Sequence, residues 1–396
     1  MIGLKRTGVA LAVSATLVMS LAPATGAPLK TDNVKLVKRF KYTGGAELAY
    51  DGSKYLYASE INGITRRGEK RGKGGVHIYD IRKEVPKEVG FIRCAGNDND
   101  VAIVKPGLLA LAYHQNDCNI GRQGVTFFDV KNPKRPKRLG DIAVPSAHTI
   151  TVYPGKPLVY VSPGGLGNGG PRFPMQIVDV SNPRKPKIAA SYVPDGTAGC
   201  HDISFSFVGE KKLAFCAGGG GVQIWDVRDA LAPKLISQIV NPLIEFPHYG
   251  LASPDGKLLV IDDEAFAAHE CVSGQSPVGA AFFYDISVPE APIPVGRFAP
   301  KRGKQPVGHE LGWTASWCTS HHYNFVPGTR NLVISWFTGG TSVLDLSNPT
   351  VPVETAVYAE DDSNAYTSHW FDGRIFVNDM HRGLEVLKVK GLKEKK

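Results

Sequence analysis

The sequence predicts an all-β fold: a seven-bladed β-propeller of four-stranded antiparallel blades, with the ring closed by an N-terminal strand that pairs with the C-terminal blade. Three observations carry this. A β-forming strand recurs seven times, as "GGVHIYDI" (74–81), "QGVTFFDV" (123–130), "PMQIVDV" (174–180), "GGVQIWDV" (220–227), "GAAFFYDI" (279–286), "GGTSVLDL" (339–346) and "RGLEVLKV" (382–389). Each copy follows a hairpin pattern and most precede a fourth β-forming segment, with a period of 43–60 residues. The last copy lacks its fourth segment, and an unclaimed one, "VKLVKRFKY" (34–42), stands near the start.

In chain order, residues 1–27 read as a secretory signal. Lys5 and Arg6 form its basic end, residues 9–21 its apolar stretch, and small residues follow. Cleavage is expected between residues 24 and 28, after Ala24 or near Gly26; an uncleaved N-terminal anchor is the alternative. No later apolar run is long enough for a membrane helix. The expected mature protein, 28–396, is therefore one secreted or cell-surface propeller domain ending in a basic tail, and a monomer. Residues 34–42 supply the missing strand: pairing first with last removes two exposed sheet edges.

Six of the seven repeats carry an Asp at one position: Asp80, Asp129, Asp179, Asp226, Asp285 and Asp345, with Lys388 in the last copy. A proline follows seven residues later in five of them and six later at Pro86. Asp and Asn bond nearby backbone amides and Pro fixes the turn, so the repeated Asp is read as a turn residue rather than a catalytic one. Within these repeats, "MQIVD" (175–179) and "SVLDL" (342–346) resemble the string that names the LVIVD-repeat family. The resemblance spans essentially the whole mature chain. It implies an exported bacterial propeller and brings no catalytic residues with it.

The six cysteines, an even number in an exported chain, suggest three disulfides. Sequence alone allows many pairings. Placed on the propeller all six fall on one face, and nearest-neighbour pairing joins Cys94 to Cys118, Cys200 to Cys216 and Cys271 to Cys318. The formal charge of +9 falls to +7 when Lys5 and Arg6 leave with the signal. The excess lies in runs such as "KNPKRPKRLG" (131–140) and "NPRKPK" (182–187). They read as solvated turns able to make electrostatic contact with an anionic cell wall or membrane surface. No aromatic-and-basic platform for nucleic acid is present.

The chemistry is expected on the axis. Aligning the starts of the innermost strands gives Glu47, Asp100, His148, His201, His248, His321 and His369. Asp100, His148, His248 and His321 each stand six residues before a proline, which sets the register and favours His321 over His322. Five of the eleven histidines thus share one ring position. Imidazole is the commonest ligand of copper, iron and zinc. The reading is a transition-metal site, copper or iron before zinc, with Glu47 and Asp100 as outer-shell partners. If the protein is an enzyme, it is a metal-dependent oxidoreductase acting on a small molecule; propeller oxygenases that hold iron with four axial histidines are an architectural analogy. The competing reading is a non-catalytic surface module for a glycan, peptide or protein, with structural histidines. Glu60, Asp262, Asp263, Glu264 and Asp379 cluster on the same face, and a pair of them could serve acid–base chemistry.

Overall fold

The structure, a computed structural model, describes residues 29–61, 74–94, 100–113, 123–164, 174–193, 199–265, 279–300 and 318–395. These residues form strands and turns without helices. Five separate four-stranded antiparallel sheets make blades 1 to 5. A nine-stranded sheet joins blades 6 and 7 through one parallel contact, Tyr323 with Ser368. The innermost strands, in blade order, are Gly45–Tyr50, Val101–Lys105, Ala147–Val152, Asp202–Val208, Pro247–Ala252, His321–Phe325 and Ala365–Phe371. Each touches the inner strands of its neighbours, and the first touches the last.

A blade has two faces, and both are covered by neighbouring blades. Its central strands are therefore buried on both sides and read as near-continuous apolar runs. Val159, Tyr160 and Val161 are all fully buried. The core is accordingly a set of wedges, one between each pair of adjacent blades.

The repeated Asp does what its spacing predicts. The carboxylates of Asp80, Asp129, Asp179, Asp226, Asp285 and Asp345 each accept the amide two residues on, at 2.8–3.2 Å. Asn132, Asn182 and Asn348 repeat the same bond one step later.

Closure runs through the first long strand, Val34–Phe40, two residues shorter than the predicted segment. It pairs antiparallel with Gly383–Val389, from Val34 opposite Val389 to Phe40 opposite Leu384. The N-terminus reaches further than expected. Leu29–Lys30 pairs with Val353–Ala359 of blade 6, and the Asn33 amide donates to the Thr355 carbonyl at 3.0 Å. One strap thus binds two blades. Across the seam, the buried Arg374 of blade 7 donates to the carbonyls of Lys83 and Glu84 in the turn of blade 1.

Cys200 and Cys216 are bridged, across the first two strands of blade 4. Cys94 and Cys318 are also disulfide-bonded. Their expected partners, Cys118 and Cys271, lie outside the described residues, as does the signal-like segment. No helix among the described residues is long and apolar enough to cross a membrane.

Candidate functional site

The strand registers define which inner-strand residues are equivalent. In blade 3, Val152 pairs with Val159, and His148 lies four residues back along the inner strand. The same count reaches His201, His248 and His321 in blades 4 to 6, but Tyr366 in blade 7 and Ala46 in blade 1. Glu47 and Asp100 sit one residue further on, in a second ring shared with Thr149, Asp202, Tyr249, His322 and Thr367. The register places His369 three residues beyond Tyr366, opposite Phe376 and deeper in the channel. The sequence alignment of Glu47, Asp100 and His369 with the histidines is therefore corrected. Blade 7 turns at Asp372-Gly373 without a proline, and counting six residues back from Asp372 would have found Tyr366.

On blades 1, 3, 5, 6 and 7 both rings face the axis because the inner strand bulges there, whereas blade 4 pairs without a slip from Asp202 onward. The register slips around His148, around His248 and Tyr249, around His322 and around Glu47. A bulge breaks strict alternation, so consecutive side chains point the same way.

The result is an arc of imidazoles on four successive blades. Ring centroids are 4.2 Å apart for His148 and His201, 4.5 Å for His201 and His248, and 4.3 Å for His248 and His321. His322 joins from the second ring, 4.8 Å from His248 and 4.4 Å from His321. His201, His248, His321 and His322 are buried, and His148 is half-buried. Gly164 makes room for the last: a Cβ there would stand 2.9 Å from the His148 ring.

Hydrogen bonds orient two of the rings. His321 Nδ1 donates to the Tyr366 carbonyl at 2.7 Å, which leaves the lone pair on Nε2. His248 Nδ1 faces the Asp262 carboxylate at 3.3 Å, which turns its Nε2 inward. A carboxylate or carbonyl behind an imidazole is the usual arrangement that fixes the tautomer of a metal-ligating histidine. Glu264 lies between the two: Oε2 is 3.6 Å from His248 Nε2, and Oε1 is 3.7 Å from His321 Nε2. Asp202 Oδ2 is 3.8 Å from His248 Nε2 and 3.6 Å from His322 Nε2. These separations are too long for hydrogen bonds. They are close to the roughly 3.4 Å edge of a tetrahedron with ~2.1 Å ligand bonds. The donor atoms of His248, His321 and His322 lie within 4.8 Å of one another, as do those of His201, His248 and Glu264.

The other carboxylates are structural. Asp263 accepts the amides of Glu245, Phe246 and Gly279. Asp379 accepts those of Asn364, His381 and Arg382. Asp100 accepts the Ile150 amide of the next blade. Glu47 Oε1 is 3.0 Å from His322 Nε2, and its Oε2 accepts the Thr367 hydroxyl at 3.0 Å. Glu60 is bound to His77 at 2.9 Å, away from the arc.

Burial sets the protonation of several groups around the channel. It holds His248 well below the usual imidazole range, with help from the neighbouring histidines, and pushes His322 and His369 down to about 3. It raises Asp202 and Asp262 well above the usual carboxylate range, and raises Asp100 to about 8 with Glu47 close by. A neutral imidazole keeps one nitrogen lone pair for a ligand bond. The cavity bounded by Glu47, Asp100, His148, His248, His322 and Tyr366 measures about 10 Å³, space for a single water-sized body.

Spacing to proline found His148, His248 and His321, and the alignment extended to His201. It missed His322, Asp202 and the special place of Glu264, because those depend on bulges and on contacts between blades. The adjacent pair His321-His322 was the available signal.

No family model matches the chain, and no curated protein matches it. Solved structures do. Pseudomonas aeruginosa periplasmic gluconolactonase, PpgL, is similar over 80% of this chain and 86% of its own, with a TM-score of 0.58 at 13% identity. The Myceliophteria thermophila Cps50 (Swd1) β-propeller domain is similar over 90% of this chain and 100% of its own, with a TM-score of 0.61 at 10% identity. At such identities the likeness shows the fold. The chain is a β-propeller with buried histidine and acidic groups on its axis that could hold a metal ion.

Proposed function

We propose that this chain is an exported propeller that binds one transition-metal ion on its axis, through His248, His321 and Glu264, with His201 and His322 as the flanking donors. The observation that carries the reading is the position of Glu264, whose two oxygens face two inward-turned Nε2 atoms at 3.6 and 3.7 Å. Two histidines and a carboxylate suit iron, and a histidine-richer set suits copper; calcium and magnesium prefer oxygen ligands alone. His148, His369 and Asp100, included in the sequence reading, become wall residues of the channel. Bound copper or iron supplies one-electron chemistry, and oxidoreductase is the reaction class this favours. The chain's own residues orient the donors, with Asp262 and the Tyr366 carbonyl fixing tautomers and the wedged blades excluding bulk water. The small cavity favours a substrate that meets the ion from the loop-bearing face. A disulfide in blade 4 and the absence of a spanning helix among the described residues are compatible with export.

The experiment is metal stoichiometry on the protein from its own cells, then on metal-stripped protein titrated separately with iron(II), copper(II) and zinc. One ion per chain is expected. His248→Ala with His321→Ala should lower affinity at least 100-fold while the fold persists by circular dichroism. A parent that retains none of the three ions ends the proposal and leaves the non-catalytic surface module.

A further inference from the structure

The face opposite the histidines carries a pattern that the axial site does not use. There the third and fourth strands of blades 1 to 6 meet in a turn organised by the repeated Asp. These turns share their backbone bonding, yet their exposed side chains fall into two kinds. Blades 2 and 3 present the cations Lys134, Arg135, Arg184 and Lys185, all exposed. The corresponding turns of blades 1, 4, 5 and 6 each add an exposed aliphatic side chain: Val85 at 51% exposure, Leu231 at 45%, Val288 at 57% and Val351 at 64%. These stand beside exposed charges of both signs: Arg82, Lys83 and Glu84 on blade 1, Arg228 and Asp229 on blade 4 and Glu290 on blade 5, with Arg82 and Arg228 held by the repeated Asp.

Neither kind is explained by the fold. The aliphatic groups lie outside the wedges that form the core. The four cations meet no carboxylate at ion-pair distance among the described residues; nearby, Arg138 pairs with Asp141 and Lys187 with Asp179. Lys105 and Lys156, on the first hairpin turns of the same two blades, add two more exposed cations at the same end.

The turns are also held rigidly. A Cβ at Gly90, Gly140 or Gly296 would collide with the carbonyl of Pro133, Pro183 or Pro349, so three turns lie directly on the outer strand of the preceding blade. An array of fixed turns on one end of a disc meets a broad surface at many points together. Isolated aliphatic tips, separated around the ring, suit shallow insertion better than one compact protein interface. Basic and aliphatic side chains together are what an anionic bilayer surface selects.

We propose that this face docks on an anionic phospholipid membrane, with the turns of blades 2 and 3 on the headgroups and the aliphatic tips of blades 1, 4, 5 and 6 entering the interface. The contact is peripheral and reversible, and it leaves the histidine-bearing face turned away from the bilayer.

The test is flotation of the processed protein with vesicles of phosphatidylcholine alone or with 30–40% phosphatidylglycerol, roughly a cytoplasmic-leaflet charge density or above. N-terminal sequencing comes first, because a retained residue 1–27 segment would bind both vesicle types. Binding is expected only with phosphatidylglycerol, and weakening with salt. The charge reversal Lys134→Glu, Arg135→Glu, Arg184→Glu, Lys185→Glu should weaken it at least tenfold. Leu231→Ser with Val351→Ser should weaken it several-fold at unchanged charge. All six positions are exposed, and unchanged melting curves confirm the fold. No binding at low salt overturns the proposal. So does binding that the serine variant leaves intact and that soluble polyphosphate matches, which would show a polyanion site rather than a membrane surface.

Discussion

The channel has two unlike halves built on one backbone. On blades 3 to 6 the first ring position holds His148, His201, His248 and His321; on blades 7 and 1 the same position holds Tyr366 and Ala46. Those two residues pack with Ile61, Phe337 and Met380 in a small apolar cluster at the seam. The second ring is sorted as well: Asp202 and His322 face the arc, whereas Glu47 stands at its border, with one oxygen 3.0 Å from His322 and the other accepting the Thr367 hydroxyl next to the seam. Seven-fold repetition thus supplies equivalent positions, and sequence decides which become donors. A site on a propeller axis needs asymmetry, because a full ring of seven imidazoles would present more donors than one ion takes.

The largest test of this division is removal of the strap. Residues 29–42 pair with both blade 7 and the outer strand of blade 6, the blade that carries His321 and His322. Their deletion opens the last blade and exposes an edge. The melting temperature should fall by more than about 10 °C, the equivalent of several kcal/mol in a domain of this size. If the donor half depends on blade 6, metal binding falls with it. A truncated chain that melts with the parent would show that the seam contributes little.

A finer test sets one carboxylate from each half against the other. Glu264→Gln should weaken metal binding about 10- to 100-fold, because the amide keeps the shape of the side chain and loses its charge. Glu47→Gln should leave metal binding within about threefold and act on stability, through its bonds to Thr367 and His322. Equal effects on metal binding, measured by titration on both variants, would erase the distinction between the halves.

How far this was legible in the sequence follows from what sets each contact. The blade pattern, the closing strand and the turn role of the six Asp residues are local or periodic, and the structure has them where the spacing puts them. The arc was legible wherever a hairpin turn ended in proline. It failed at His369, where Asp372-Gly373 replaces the proline and shifts the register by three. Asp100 went to the wrong ring because the bulge between Ile103 and Lys105 adds one residue to the count to Pro106, and Glu47 because the hairpin turn of blade 1 is one residue shorter and has no proline to count from. The partners Asp202, Asp262 and Glu264 were invisible as partners, since their distance from the histidines is fixed by the packing of one blade on the next.

The smallest effect lies in the half without the arc. His77, on the third strand of blade 1, is held between two carboxylates, with Nε2 2.9 Å from Glu60 and Nδ1 2.9 Å from Glu88. Tyr42, just beyond the closing strand, stacks on its ring at 4.3 Å, and Phe91 covers another side. Burial presses the imidazole toward its neutral form, but the hydrogen bonds and charges of Glu60 and Glu88 outweigh it, so its pKa stands above the usual value of 6.5. A base whose folded pKa is raised stabilises the fold fully below its unfolded pKa, and that contribution is lost as pH rises through the folded pKa. The stabilisation should be about 1.5–3 kcal/mol, the range for hydrogen bonds to a charged group. His77→Gln should therefore melt lower than the parent at pH 5.5, and the gap should narrow steadily towards pH 9. The comparison also separates the two halves, because His248 and His322, held neutral by burial, add no stabilising positive charge over that range. Melting curves of the parent and His77→Gln, measured with metal stripped, decide it: two parallel lines against pH would mean that the His77 clamp carries no charge in the folded protein.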